Sequence, residues 1–132
     1  MSARRKVSSG GPYEDLVGYS RAVAAGELVW VAGCASVGDG TVLHEGDMTA
    51  QTARCIEVVA AALAELDCTL EDVVRTTVYV TDISRWEQVA EAHRAAFGDI
   101  RPASTMVEVS ALMDPRMLVE VEAVAHKPGS GW

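Results

Sequence analysis

Aromatic side chains are scarce in this chain. One phenylalanine, three tryptophans and three tyrosines make up 5% of its 132 residues. An apolar core must therefore come from valine, alanine and leucine, and burial between subunits would help so thin a core. Cysteine is sparse too. Cys34, Cys55 and Cys68 contain no C-x-x-C pair, and an odd, unpatterned set argues against a disulfide framework and for a reducing compartment. Positive charge is short, with 11 Lys plus Arg against 19 Asp plus Glu for a net charge of -8. Such a surface repels phosphate backbones, and the one basic cluster is Arg4-Arg5-Lys6. No apolar run approaches the length of about 18 residues that a membrane span needs. No apolar stretch of signal-peptide type follows the basic cluster. These absences lead us to expect a cytoplasmic protein with neither a nucleic-acid nor a membrane partner.

What remains is a globular balance, 49% hydrophobic and 23% charged, in a length that suits a single domain over residues 1–132. Ser2 to Tyr13 contains Ser8-Ser9-Gly10-Gly11-Pro12, so residues 1–13 read as a loosely held arm, and 126–132 as a tail. Tyr19 to Ala24 and Leu28 to Ala32 read as a hairpin turning at Ala25-Gly26, with Gly33, Gly38 and Gly40 punctuating a loop beyond. From about Asp47 to Leu66, Ile56, Val59, Ala60, Leu63 and Leu66 form one helical apolar stripe, with Asp47 or Thr49 as N-cap. Thr69 and Asp72 resemble a capping box ahead of a β-branched strand, Val73 to Val80. Alternation along that strand puts Val74, Thr76, Val78 and Val80 on one face. Ser84 and Glu87 suggest a second capping box, opening a helix with Trp86, Val89, Ala90, His93 and Phe97 on one side and its end at Gly98. Strands are expected at Ser104 to Val109 and Leu118 to Ala125.

The order β-β-α-β-α-β-β predicts an α+β two-layer sandwich, because right-handed crossovers place both helices on one face of the sheet. The other face has no cover within the chain, which predicts a second subunit against it.

Arg101-Pro-Ala-Ser-Thr-Met-Val-Glu-Val109, followed by Leu118 to Ala125, resembles the signature region of the Rid (reactive intermediate deaminase, YjgF-like) family. Val17-Gly-Tyr-Ser20, Val29-Trp-Val-Ala-Gly33, Gln51-Thr-Ala-Arg54 and Asp72 to Asp82 support it in the same order. The resemblance implies a chorismate-mutase-like fold of the bacillary type. It also implies a homotrimer with a central β-barrel and small-molecule clefts between subunits. Archetypal members hydrolyse enamines and imines to a ketoacid and ammonia without metal or cofactor. By that likeness Glu120 is the catalytic carboxylate positioning or activating water, and Tyr19, Ala32, Ser104 and Met106 line the substrate cleft, with Ala90 nearby.

Deaminating members carry Pro-Ala-Arg where this chain reads Pro102-Ala103-Ser104. The guanidinium there grips a substrate carboxylate with two hydrogen bonds. Ser104 offers a hydroxyl and no charge, a loss on the order of 10- to 100-fold for a carboxylate ligand. Met106, Ala32 and Ala90 lower the polarity of the same cleft. Arg101 lies three residues from Ser104 and before Pro102, so in an extended strand it points to the opposite face. Arg21, Arg75 and Arg116 cannot be placed from sequence.

From pattern alone, Glu120 and Glu122 equally fit a solvated or edge strand face. Tyr19 also fits a hairpin edge, and the cysteines fit core packing, with Cys34 beside the suspected cleft. No pair among His44, His93 and His126 has metal-ligand spacing, and none sits where it suggests a serine nucleophile. Two readings follow. One is an enamine or imine deaminase-type hydrolase; the other is a non-catalytic ligand-binding or regulatory trimer using the same cleft. Endoribonuclease activity, a third reading, is disfavoured by the acidic surface.

Overall fold

The computed structural model describes residues 4–129; Met1–Ala3 and the terminal Ser130–Trp132 of the expected arm and tail lie outside them. Strands β1 (Arg5–Val7), β2 (Ala22–Ala25) and β3 (Leu28–Ala35) come first. A small hairpin of β4 (Val37–Gly38) and β5 (Thr41–Val42) precedes helix α1 (Met48–Ala64). Strand β6 (Val73–Val80), helix α2 (Trp86–Phe97), β7 (Ala103–Glu108) and β8 (Val119–His126) complete the order. The six long-range strands form one sheet in the order β1-β2-β3-β8-β6-β7. Only β6 and β7 are parallel, which is what a crossover through α2 allows. The α+β fold with two helices on one sheet is the predicted one.

Local chemistry explains the boundaries. Asp47 caps α1 by accepting from the Ala50 amide at 3.0 Å. Thr69 and Asp72 form the expected reciprocal box. The box expected at Ser84 and Glu87 does not form. Asp82 caps instead, accepting from the Ser84 amide and hydroxyl, and a 3₁₀ turn at Ile83–Arg85 leads into α2. Asp82 is better placed because its short carboxylate reaches the amide two residues on.

The core lies between helices and sheet. Cys55, Ile56, Val59 and Leu63 of α1 and Val89 and Phe97 of α2 meet Val29, Val31, Val78, Val80, Val119, Val121, Ala123 and Ala125 of the strands. Burying a valine or leucine side chain contributes about 1.5–3 kcal/mol, so many medium residues replace the missing aromatics. The alternation of β8 is complete: Val119, Val121, Ala123 and Ala125 are buried, while Glu120, Glu122, Val124 and His126 face the other way and are half-buried.

Three differences from the sequence reading have clear causes. Part of the expected loose arm is an edge strand, with Arg5, Lys6 and Val7 pairing with Ala24, Val23 and Ala22; β2 has a free edge there, and the buried Val7 seals the core. The alternation predicted for β6 breaks at its start. The register with β8 shifts between Val73 and Arg75, so Val73 is buried and Val74 is exposed, as a β-bulge requires. Finally, β3 runs on through Gly33 to Ala35 rather than ending in a loop. Asp39 and Gly40 then turn the small hairpin with φ of 51° and 76°, the twist that suits a two-residue turn.

Candidate functional site

The expected site residues fall into two groups on opposite faces of the sheet. The first group gathers where β3 and β8 pair. A second bulge places Ala32 and Gly33 of β3 opposite Glu122 alone, because Val31 pairs with Ala123 and Cys34 with Val121. The bulge aims two carbonyls at one guanidinium: Arg21 Nη1 donates to the Ala32 and Gly33 oxygens. Arg21 Nη2 donates to the Tyr19 hydroxyl at 3.0 Å. Its Nε lies 3.8 Å from the Glu14 carboxylate and, among the described residues, has no hydrogen-bond partner.

Glu120 packs directly over Gly33. A Cβ at residue 33 would stand 2.7 Å from the Glu120 carboxyl carbon and 2.9 Å from Oε1, so the missing side chain is what admits the carboxylate. Burial pushes the Glu120 pKa up; Arg21 pulls the other way and Glu122 adds to the rise. Strand β8 lies between β3 and β6, so the edge-strand reading of Glu120 does not hold. Glu122 accepts a hydrogen bond from the Tyr79 hydroxyl and borders, with Trp30, Arg75, Thr77 and Val124, a shallow depression on the helix-free face.

Glu14, missed by the sequence reading, closes the group from beneath. It is buried and accepts from the Ser9 amide and hydroxyl. Burial alone would raise its pKa, but the hydrogen bonds of Ser9 and Ser8 and the attraction of Arg21 outweigh it and hold the pKa low. A π-helical turn, Glu14–Gly18, carries it and leaves Leu16 and Val17 exposed. A glutamate in a polar arm gives no signal until Arg21 is known to lie beneath it. Cys34 does not line this group from outside: it is buried on the helix side, with Sγ 3.4 Å from Arg21 Nη1. Burial pushes its thiol pKa up against the pull of Arg21, which leaves it inert.

The second group lies on the helix-covered side, at the free edge of β7. Ser104 pairs in register with Thr76, and Met106 with Val78. Met106 packs against the core, and Ser104 remains exposed. Ala90, on α2, is half-buried. Within one chain, then, Tyr19, Ala32 and Glu120 do not meet Ser104 and Met106.

The candidate arginines also resolve. Arg101 is not extended: its φ is 57°, and its Nε donates to the Gly98 carbonyl at 3.0 Å while its amide donates to Phe97. The chain needs a left-handed residue to reverse from α2 into β7, and this requirement overrides the preference before proline. Arg116 is held at the surface by both Asp114 oxygens. Arg75 reaches Thr105 on the helix-free face. Of these four arginines, Arg21 is the one whose charge acts on Glu120. Among the described residues no three His, Cys, Asp or Glu side chains converge on a possible metal position, and no helix is long and apolar enough to cross a membrane.

A family model described as endoribonuclease L-PSP matches residues 13–127. The chain belongs to the Rid (YjgF/RutC) family. Its fold superposes on the crystal structure of Rv2704 from Mycobacterium tuberculosis, a YjgF/YER057c/UK114 family member, with TM-score 0.86 and 52% identity over 94% of this chain and 99% of that one. It is 38% identical to a RutC family protein of Pyrococcus abyssi over 83% of this chain and 86% of the relative. It is 30% identical to the 3-aminoacrylate deaminase RutC of Acinetobacter baylyi, covering 84% and 88%. The Rid signature around Ser104 thus lies on the parallel edge strand, and the segment with Tyr19 and Gly33 lies on the far side of the sheet.

Proposed function

We propose that this Rid protein hydrolyses a small, uncharged enamine or imine in clefts formed between the subunits of a homotrimer, with Glu120 managing the proton transfers. The observation that carries the reading is the Glu120 carboxyl seated over Gly33 with Arg21 alongside and its pKa raised. A carboxylate so poised takes one proton from water as the C–O bond forms on the imine carbon (an enamine first gains a proton at carbon) and passes it to nitrogen. It then takes the hydroxyl proton as C=O forms and delivers it to the departing nitrogen as the C–N bond breaks, releasing ammonia and a carbonyl compound. No cofactor is needed for that step.

A homotrimer would supply what a single chain lacks. Glu120, with Arg21 and Tyr19 beside it, lies across the sheet from Ser104 and Met106, so one cleft holding all of them would take two copies of the chain. The helix-free face exposes Trp30 at 45% and Val107 at 39%, an apolar surface suited to a second copy. Ser104 argues for a substrate without a carboxylate. The same position favours a non-catalytic ligand-binding trimer as the second reading, since a serine there leaves the proposed cleft without an anchoring charge. RNA cleavage, as in the family model's description, finds no support in a chain of net charge -8.

The test pairs a dehydratase that releases 2-aminoacrylate with this protein, alongside uncharged enamines of similar size, and follows carbonyl product. We expect faster release from the uncharged enamines, little from 2-aminoacrylate, and loss of the acceleration in Glu120→Ala. Saturable binding of these compounds with no acceleration of any of them would establish the binding-module reading instead.

A further inference from the structure

Thr76 is fully buried in β6, and its hydroxyl joins two partners. It lies 2.8 Å from Ser104 Oγ and 2.9 Å from His93 Nε2 of α2, within hydrogen-bonding distance of both. His93 in turn leans on Phe97, ring centroids 4.7 Å apart, so its imidazole is fixed by packing and by one hydrogen bond. Burying a threonine hydroxyl requires one partner; here it has two, and the second is exposed at the free edge of the sheet. We propose that the chain His93–Thr76–Ser104 is the recognition element of the edge-strand half-site, and that it takes the uncharged hydrogen-bonding group of a small ligand, a carboxamide rather than a carboxylate.

Proton counting along the chain decides which group fits. Each of the two gaps in the chain holds one hydrogen. With His93 protonated on Nε2, the hydrogens point outward along the chain, Thr76 donates to Ser104, and the Ser104 proton is free for a ligand carbonyl. With the other tautomer the direction reverses: Ser104 donates to Thr76, Thr76 donates to His93, and Ser104 Oγ accepts from a ligand N–H. A carboxamide offers both a carbonyl and N–H groups and satisfies either state. A carboxylate only accepts, so it uses one state and brings a charge that neither hydroxyl nor the neutral His93 ring offsets. Burial lowers the His93 pKa and keeps the ring neutral. Three cations of the proposed cleft are committed elsewhere: Arg101 to the Gly98 carbonyl, Arg75 to Thr105 on the opposite face, and Arg21 of the other half-site to the Gly33 carbonyl and the Tyr19 hydroxyl. Arg94, next to His93 on α2, is exposed.

This inference rests on the small-molecule cleft proposed above, and the experiment separates the two. Propionamide and propionate share one skeleton and differ in the group read. Each is titrated into the intact protein carrying ¹⁵N-histidine, with binding followed calorimetrically and at the His93 ring resonances. We expect propionamide to bind at least tenfold more tightly than propionate and to shift the His93 resonances. Thr76→Val keeps the shape and removes both hydrogen bonds; the unneutralised charge still disfavours propionate, so the preference should narrow by about 2- to 10-fold, the worth of one neutral hydrogen bond. His93→Phe, which keeps the packing on Phe97, should do the same, guarding against a valine variant that fails to fold. Ser104→Arg should invert the preference. A residue serving only to satisfy a buried hydroxyl would alter stability and leave the preference alone, so unchanged discrimination in both variants overturns the proposal. Equal or tighter binding of propionate to the unaltered protein overturns it as well, leaving the cleft itself standing. If neither probe binds, both ideas fall.

Discussion

Replacing Gly33 with alanine separates the architecture of the carboxylate site from the stability of the fold. Gly33 does not adopt a left-handed backbone, so the new methyl introduces no conformational strain of its own. It would, however, sit 2.7 Å from the carboxyl carbon of Glu120 and 3.0 Å from its Cγ. Carbon atoms settle at about 3.5–4.0 Å, so the carboxyl must retreat by roughly 1 Å. The obstacle is the end of a side chain rather than backbone, which keeps the cost of crowding near the lower end of the 1–3 kcal/mol typical of overpacking. Reduced freedom of the unfolded chain returns about 0.4–1 kcal/mol. The net loss should be no more than about 2 kcal/mol, whereas a displacement of roughly 1 Å at a reacting group costs on the order of 100-fold in rate. Thermal unfolding and product release with an uncharged enamine, measured on one preparation, test both halves. A Gly33→Ala protein with full turnover would refute the assignment of Glu120 to the chemistry, and one that no longer folds would refute the steric reasoning.

Glu120→Gln should stabilise the protein at neutral pH. A carboxyl whose pKa is raised by burial binds its proton more tightly folded than unfolded, so its ionisation opposes folding. That penalty is absent below the ordinary value of about 4.5 and grows as pH rises through the higher folded value. The melting temperature of the glutamine variant should therefore exceed that of the parent at pH 7, with the gap closing near pH 4; a lower value at pH 7 would contradict the account. Arg21→Met should have the opposite sign. It removes the attraction of Arg21 from Glu14, which Ser9 still hydrogen-bonds, and leaves the Gly33 carbonyl and Tyr19 hydroxyl without their donor, a loss of about 1–3 kcal/mol measurable by urea unfolding. A change under about 1 kcal/mol would mean that Glu14 finds solvent when its partner goes.

Period and punctuation carried most of the fold. The three- and four-residue spacing of Ile56, Val59 and Leu63 and the strict alternation of Val119 to Ala125 are one-dimensional records of a buried face, which is why both elements were legible. Turn and cap chemistry is equally local, so Asp47 and the box of Thr69 and Asp72 could be read directly. Bulges could not: the shifts at Val73–Arg75 and Val31–Cys34 arise from pairing with β8, a strand far along the chain.

The candidate site shows the same division. Tyr19, Ser104 and Glu120 were recognisable as positions in a motif, and Ser104 as a serine where the family resemblance led us to expect arginine. Only the tertiary structure decided that Glu120 and Ser104 occupy opposite faces, that Arg101 turns back to the end of α2, and that Arg21 is the cation beside Glu120. It alone joined His93 to Ser104 through Thr76, across 17 and 28 residues of sequence. Sequence determines which groups a chain possesses and which face each element buries, because those depend on neighbours a few residues away. Which groups meet depends on the register of strands and the crossing of helices, and these are settled only when the whole core packs at once.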